Sequence, residues 1–283
     1  FGVCGNTLVI YIIGYFSRVR QKSVANYYIW NLAFADELFI LALPIFCWAS
    51  VTHNWPISGE FGNVTCKVAY IARDMNKFTS IFTLCALSVD RALASCHYLG
   101  YLRTITLGKI VCVIIWILSF VISTPYLIYA RTIETKAGTS CRLVWPSSQY
   151  VQFWASFQFS VGLVIPSIFI LSSYVILFRR LKRIAGRTDT MSMKRPSRRM
   201  TQTVLVVVIS FVVCQAPYHV TQFIAARRML TVEKLAKEKV MFSPSHSEIV
   251  THVWLNAFSQ VLVFISSCCN PIIYGLLNEN FSK

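Results

Sequence analysis

Seven blocks of mainly apolar residues divide this 283-residue chain, most of them at or above the ~20 residues that a helix needs to cross a ~30 Å hydrocarbon core. They lie at approximately residues 1–16, 25–50, 66–95, 107–130, 148–180, 200–225 and 249–277. In lipid a backbone must satisfy its hydrogen bonds internally, so blocks of this kind fold as helices. Composition agrees, with 55% hydrophobic and 13% charged residues against about 45–50% and about 25% in a soluble domain. A soluble globular protein is excluded. The expected fold class is an all-α membrane protein, a seven-transmembrane helix bundle forming one domain over residues 1–283. The first block is short for a full crossing and the last ends near Lys283. The N-terminal half of the first helix and both tails are therefore expected to lie beyond this sequence.

The formal charge of +16 raises the question of nucleic acid. The basic residues, however, fall in short tracts between the apolar blocks and line no aromatic-studded groove. Lipid headgroups and topology account for them. One set of loops carries sixteen Lys or Arg, nine of them between the fifth and sixth blocks against Asp189 alone. The opposite set carries nine. Because basic loops are retained on the cytoplasmic side, the N-terminus is expected outside and the C-terminus inside. Asn63-Val64-Thr65 then forms a glycosylation acceptor in an outer loop. Cys66 and Cys141 are the cysteines at or in outer loops, where an oxidising exterior favours a bridge between them over two free thiols. The other eight cysteines show no metal spacing.

An ionisable group inside hydrocarbon is costly, so each one within a span is a functional candidate. Asp36 and Glu37 fall in the second span, Arg73, Asp74 and Lys77 in the third, and Asp90 with Arg91 at its inner end. No lysine occurs between Glu248 and Asn280, which excludes a retinal Schiff base on the last helix. His53, His97, His219, His246 and His252 read as lying at span ends or in loops, so no hydrolytic metal site follows. Asp36 has two readings, a buried carboxylate of structural use or part of a cation site with Asn76, Ser80, Ser266, Ser267 and Asn270. Glu37, about 100° further round the helix, is expected to pair elsewhere. Asp74 can bridge to Lys77 while Arg73 reaches water, or Arg73 and Lys77 can floor a cationic pocket for a carboxylate or carbonyl. The prolines at 44, 125, 166, 217 and 271 fall one in each of five spans, where they kink helices and open cavities.

Taken in order, several motifs resemble those of rhodopsin-type (class A) G-protein-coupled receptors across all seven spans. They are Gly5-Asn6, Asn31 to Asp36, Cys66 followed by Ser88-Val89-Asp90-Arg91, Trp116, Pro166 with Tyr174, Phe211 with Cys214 and Pro217, and Asn270-Pro271-Ile272-Ile273-Tyr274. Within that family, Met75 to Phe82 is similar to the third helix of somatostatin, opioid and allatostatin-C receptors, and Arg198-Arg199-Met200-Thr201 with Val204 to Val208 resembles the start of their sixth. The resemblance implies a plasma-membrane receptor for an extracellular neuropeptide, not an enzyme, acting through a Gi/o heterotrimer to inhibit adenylyl cyclase. It assigns Asp90, Arg91, Tyr174, Phe211, Gln215, Pro217, Asn270, Pro271 and Tyr274 to activation and G-protein coupling. It assigns Asp36, Asn76, Ser80 and Asn270 to an allosteric sodium site, with no other cofactor.

Three positions depart from the pattern. Ala92 stands where Asp-Arg-Tyr is usual, Tyr98 where a proline commonly follows, and Gln215 where Cys-Trp-x-Pro places a tryptophan. The aspartate that meets the amine of opioid and somatostatin ligands would fall at Arg73, with Asp74 displaced by one residue. A ligand anchored through its own amine is thus disfavoured. Arg73, Asp74, Lys77, Gln222 and Gln260 are the expected ligand contacts, meeting a peptide that presents a carboxylate, a carbonyl-rich turn or an amidated end. The third outer loop, roughly Ala226 to Glu248, reads as a solvated loop with a short amphipathic helix at 232–240. Two competing functions remain, a capture receptor that binds peptide without signalling and a transporter or channel. The second would show inverted repeats or broken helices, and neither is evident.

Overall fold

The computed structural model describes residues 1–19, 23–52, 54–94, 97–135, 138–185, 195–238 and 245–277. Seven long helical rods follow the apolar blocks. The first three are Gly2–Val19, Val24–Thr52 and Gly59–Ala94. A short 3-10 turn, His97–Leu102, leads into the fourth, Ile105–Ser123, which bends and continues as Pro125–Tyr129. The fifth runs Ser148–Phe159, widens to a π-helical segment at Ser160–Val164 and resumes as Ile165–Ala185. The sixth is Arg195–Lys237 and the seventh His246–Leu277. Five of these rods are long and apolar enough to cross a membrane; the charges in the third and the length of the first separate those two from the rest.

The prolines act where their chemistry requires. Proline lacks an N–H and its ring crowds the carbonyl four residues earlier, and the chain answers in two ways. Before Pro125 the helix breaks at Thr124, whose N–H turns back to the Val121 carbonyl at 3.3 Å. Before Pro166 the helix widens into the π segment, which spares the crowded turn at Gly162. Pro44, Pro217 and Pro271 lie inside unbroken helices.

Two strands, β1 (Ala130–Thr135) and β2 (Gly138–Leu143), form an antiparallel hairpin between the fourth and fifth helices, with Thr132 opposite Cys141. Cys141 is bonded to Cys66 of the third helix, 75 residues earlier, which ties the hairpin over that end of the bundle. The bridge expected for this pair is present. The bundle centre is apolar, built on Leu32, Phe78, Ile81, Leu84, Leu87 and Val207, all fully buried. A hydrogen-bonded chain threads it: Trp116 Nε1 donates to Asn31 Oδ1 at 2.9 Å, and Asn31 Nδ2 donates to Thr83 Oγ1 at 2.9 Å. Second, third and fourth helices are thereby registered by polar bonds that lipid cannot compete for.

Two sequence expectations change. The third helix begins at Gly59, so Asn63 lies within it and not in a loop; its side-chain carbonyl accepts from the Thr132 N–H of the hairpin at 3.4 Å. Half-buried there, Asn63 is poorly placed for a bulky surface glycan. The stretch after Ala226 is also no loop. The sixth helix continues unbroken to Lys237, because 218–243 holds neither Gly nor Pro and is rich in good helix formers. Glu233 pairs with Lys237 at 2.8 Å one turn on, and accepts from Ser148 at the start of the fifth helix. Residues 239–244, like the basic tract at 186–194 with Asp189, lie outside the described residues.

Candidate functional site

The third helix carries charge at both of its ends. Near the hairpin, one turn brings Arg73, Asp74 and Lys77 together. Lys77 Nζ sits 2.7 Å from Asp74 Oδ1, both side chains buried. Gln158 of the fifth helix bonds both: its Oε1 accepts from Lys77, and its Nε2 donates to Asp74 Oδ1 at 3.1 Å. Ser123 of the fourth helix donates to Asp74 Oδ2 at 3.0 Å. A buried ion pair survives only when its remaining bonding capacity is met, and here the fourth and fifth helices meet it. Lys77 also lies over the Phe78 ring at 4.7 Å.

Arg73 is different. Its guanidinium faces two rings, Tyr218 at 5.0 Å and Phe46 at 5.9 Å to the centroid. Among the described residues no carboxylate lies within ion-pair distance of it. Of the two readings of this turn, the Asp74–Lys77 bridge is present, while Arg73 is half-buried beside aromatic rings and does not stand out in water. All three residues line a cavity of about 210 Å³ between the third, fifth and sixth helices and the hairpin end. Aromatic side chains wall it: Tyr126 stacks on Tyr70 at 5.8 Å and accepts from Trp154 Nε1 at 3.3 Å, with Trp145 edge-on at 6.0 Å. Gln222 lines the cavity and is held by Asn256 of the seventh helix at 2.9 Å. Gln260 is half-buried in the seventh helix and is not one of the lining residues.

Deeper polar residues join the wall. Gln215 and His219, one turn apart on the sixth helix, are each 2% exposed and both line the cavity. Gln215 Oε1 and His219 Nε2 are buried without a hydrogen-bond partner. His219 therefore does not sit at a span end, as its position in the sequence had implied; its ring lies over the bare backbone of Gly162 in the π segment, and a Cβ there would come within 2.7 Å of Cε1. Gln158, Ser123, Tyr126 and Tyr218 escape a search restricted to charged groups in spans. A search for every hydrogen-bonding side chain within an apolar block would have found them.

Midway along the bundle, Asp36 is 1% exposed and accepts from Asn270 Nδ2 at 2.7 Å and Asn76 Nδ2 at 3.3 Å. Among the described residues it has no basic partner. Ser80 Oγ is buried without a partner. A buried carboxylate held by neutral side chains, with no basic partner, is a hard anionic oxygen ligand of the kind that suits a small hard cation. Glu37 is engaged elsewhere, accepting from Thr7 Oγ1 of the first helix at 3.2 Å.

At the far end of the third helix, Asp90 contacts Arg91 and accepts from Arg103, whose Nε and Nη2 approach at 2.9 and 3.3 Å. Asp90 and Arg91 are buried there. Arg103, beyond the 3-10 turn, is a partner that its loop position gave no reason to expect. Phe211 is buried in the core and Tyr174 packs against it, while Pro217 and Pro271 lie one in each of the neighbouring helices. The side chains of Tyr98 and Tyr274 lie outside the described residues. Sixteen residues separate Asp74 from Asp90, so roughly 24 Å of helix joins the two charged clusters.

Comparison with known proteins accords with this arrangement. Residues 5–274 match the family described as the 7 transmembrane receptor (rhodopsin family). The whole chain aligns with somatostatin receptor type 4 of Rattus norvegicus at 31% identity, covering 68% of that receptor. It aligns equally along its whole length with somatostatin receptor type 2 of Mus musculus at 31% identity, covering 72% of it, and with somatostatin receptor type 1 of Rattus norvegicus at 30%, covering 67%.

Proposed function

Because the chain belongs to the rhodopsin family of seven-transmembrane receptors, we propose that it is a plasma-membrane receptor for an extracellular peptide and signals through a heterotrimeric G protein of the Gi/o class to inhibit adenylyl cyclase. The observation that carries this reading is the pair of charged clusters at the two ends of the third helix, a cavity lined by Arg73, Asp74 and Lys77 and an ionic cluster in which Asp90 meets Arg91 and, from beyond the helix, Arg103. In the proposed topology the disulfide-tied hairpin faces outside, in the oxidising compartment that such a bridge requires, and the N-terminus lies with it. The somatostatin receptors to which the chain is similar point to a peptide as the ligand class.

The mechanism is a population shift with no covalent step. Peptide binds more tightly to one of two helix arrangements, and its binding energy difference sets the shift. The mobile elements are the fifth and sixth helices, which carry the π segment, Pro166 and Pro217. Rearrangement at the other end releases Arg91 from Asp90 and opens the face on which Tyr174 and Phe211 pack, and there the G protein docks. Asp36 with Asn76, Ser80 and Asn270 would hold sodium in the arrangement without agonist; the buried carboxylate lacking a basic partner and the unsatisfied Ser80 hydroxyl support this.

The test is nucleotide exchange on Gi/o, Gs and Gq heterotrimers by the full-length receptor in membranes, screened against a neuropeptide library. Selective exchange on Gi/o is expected. A peptide that binds specifically yet drives exchange on none of the three would favour the capture receptor, the alternative for which Ala92 and Gln215 speak. Exchange on Gs or Gq alone would leave the receptor and replace its partner.

A further inference from the structure

The charges of the cavity do not balance. Asp74 is fully engaged, by Lys77 at 2.7 Å, by Gln158 and by Ser123. Its charge cancels that of Lys77, and Arg73 remains as an uncompensated guanidinium, half-buried between Tyr218 and Phe46. A half-buried cation that faces rings and has no carboxylate partner still holds five N–H donors for an anion. A carbonyl can meet them, but a charge-assisted, bidentate bond is roughly twice as strong and fits the planar fork. A second observation comes from the sixth helix. Gln215 and His219, each 2% exposed, line the same cavity, and each keeps one buried polar atom, Oε1 and Nε2, without a partner. Buried polar atoms are nearly always bonded in native structures, so two such residues on one cavity wall hold bonding capacity that a guest can meet.

We infer that the cavity is a carboxylate-recognition site: Arg73 takes a carboxylate of the peptide, and a hydrogen-bonding group on the same ligand reaches Gln215 and His219. At about 210 Å³ the space is below the size of a drug-like pocket. It therefore admits the tip of a peptide, a free C-terminus or one acidic side chain, while the rest of the chain lies across the hairpin. An amidated end or an uncharged turn offers Arg73 only a neutral carbonyl, and an amine offers it no acceptor for its charge. This inference rests on the peptide-receptor reading above and deepens it.

The experiment uses the full-length receptor in cells and a synthetic peptide library made in matched pairs, free acid against C-terminal amide and Asp or Glu against Asn or Gln, read by both binding and nucleotide exchange. Active peptides are expected to be acids, with their neutral counterparts roughly a hundredfold weaker, the scale of one charged bidentate contact. Arg73→Gln should abolish that preference, and Arg73→Lys should restore part of it. Gln215→Leu should weaken acid and amide alike by about tenfold. Surface expression is measured throughout; should Arg73→Gln fail to reach the surface, the matched pairs on the unaltered receptor decide alone. Amides as potent as acids would overturn the carboxylate site and leave the peptide receptor standing. If neither series binds or activates, the peptide reading itself fails.

Discussion

Lys77 both lines the cavity and holds a buried carboxylate. It neutralises Asp74, which is 4% exposed and held also by Gln158 and Ser123. Removing one partner of such a pair leaves an uncompensated buried charge, at a cost of about 3–5 kcal/mol. Lys77→Met should lower the thermal stability of the detergent-solubilised receptor by that order. Adding Asp74→Asn should recover at least half, since a neutral amide can still bond Gln158 and Ser123. A double variant no more stable than Lys77→Met would mean that the pair is not the source of the loss. Arg73, one residue before Asp74, shares the turn but no ion pair. The spacing of Arg73, Asp74 and Lys77 is plain in the sequence, yet which of the two cations takes the acid depends on side-chain direction and on Gln158, which is 81 residues from Lys77.

The fifth and sixth helices illustrate what an element can and cannot reveal about itself. Pro166 announces a disturbance in the fifth helix, and the disturbance is the π segment Ser160–Val164. What it meets is invisible locally: His219 of the sixth helix lies against Gly162, where an added Cβ would stand 2.7 Å from Cε1 and 3.1 Å from Nε2. Overfilling a packed site costs about 1–3 kcal/mol. Gly162→Ala is thus expected to destabilise by that amount in a thermal unfolding assay, and His219→Ala in the same chain should relieve most of it. Strictly additive losses in the double-mutant cycle would show that the two residues do not press on each other. The sixth helix outruns its apolar block for a related reason. The apolar block ends near 225, but the hydrogen-bonding pattern continues to Lys237 because helix formation needs no apolar face once the chain leaves lipid.

For the bundle as a whole, the cavity at Arg73, the Asp36 cluster and the Asp90 cluster all draw on the third helix, so an arrangement that shifts that helix acts on all three. Linkage makes this reciprocal: if sodium lowers agonist affinity by a factor, agonist lowers sodium affinity by the same factor. Replacing sodium by a bulky organic cation in a membrane binding assay should raise agonist affinity by roughly 5- to 150-fold, the usual range of such couplings. Asp36→Asn, which keeps the shape and removes the charge, should abolish the dependence. Persistence of the sodium effect in that variant would place the ion elsewhere.

Seven apolar blocks and the motifs from Gly5-Asn6 to Asn270-Pro271 already determine the bundle and the family, because lipid leaves the backbone almost no choice but helix and because those motifs stand in order along the chain. The Cys66–Cys141 disulfide follows from the two cysteines that topology puts at one end. Tertiary structure alone decided the rest. Whether Asp74 meets Lys77 or a ligand, whether Asp90 reaches Arg103, and whether Gln215 and His219 face protein or cavity depend on the rotation of each rod about its own axis. Residues far apart in sequence set that rotation by packing, and the apolar pattern of a helix wrapped in lipid on one side and helices on the other records it only weakly.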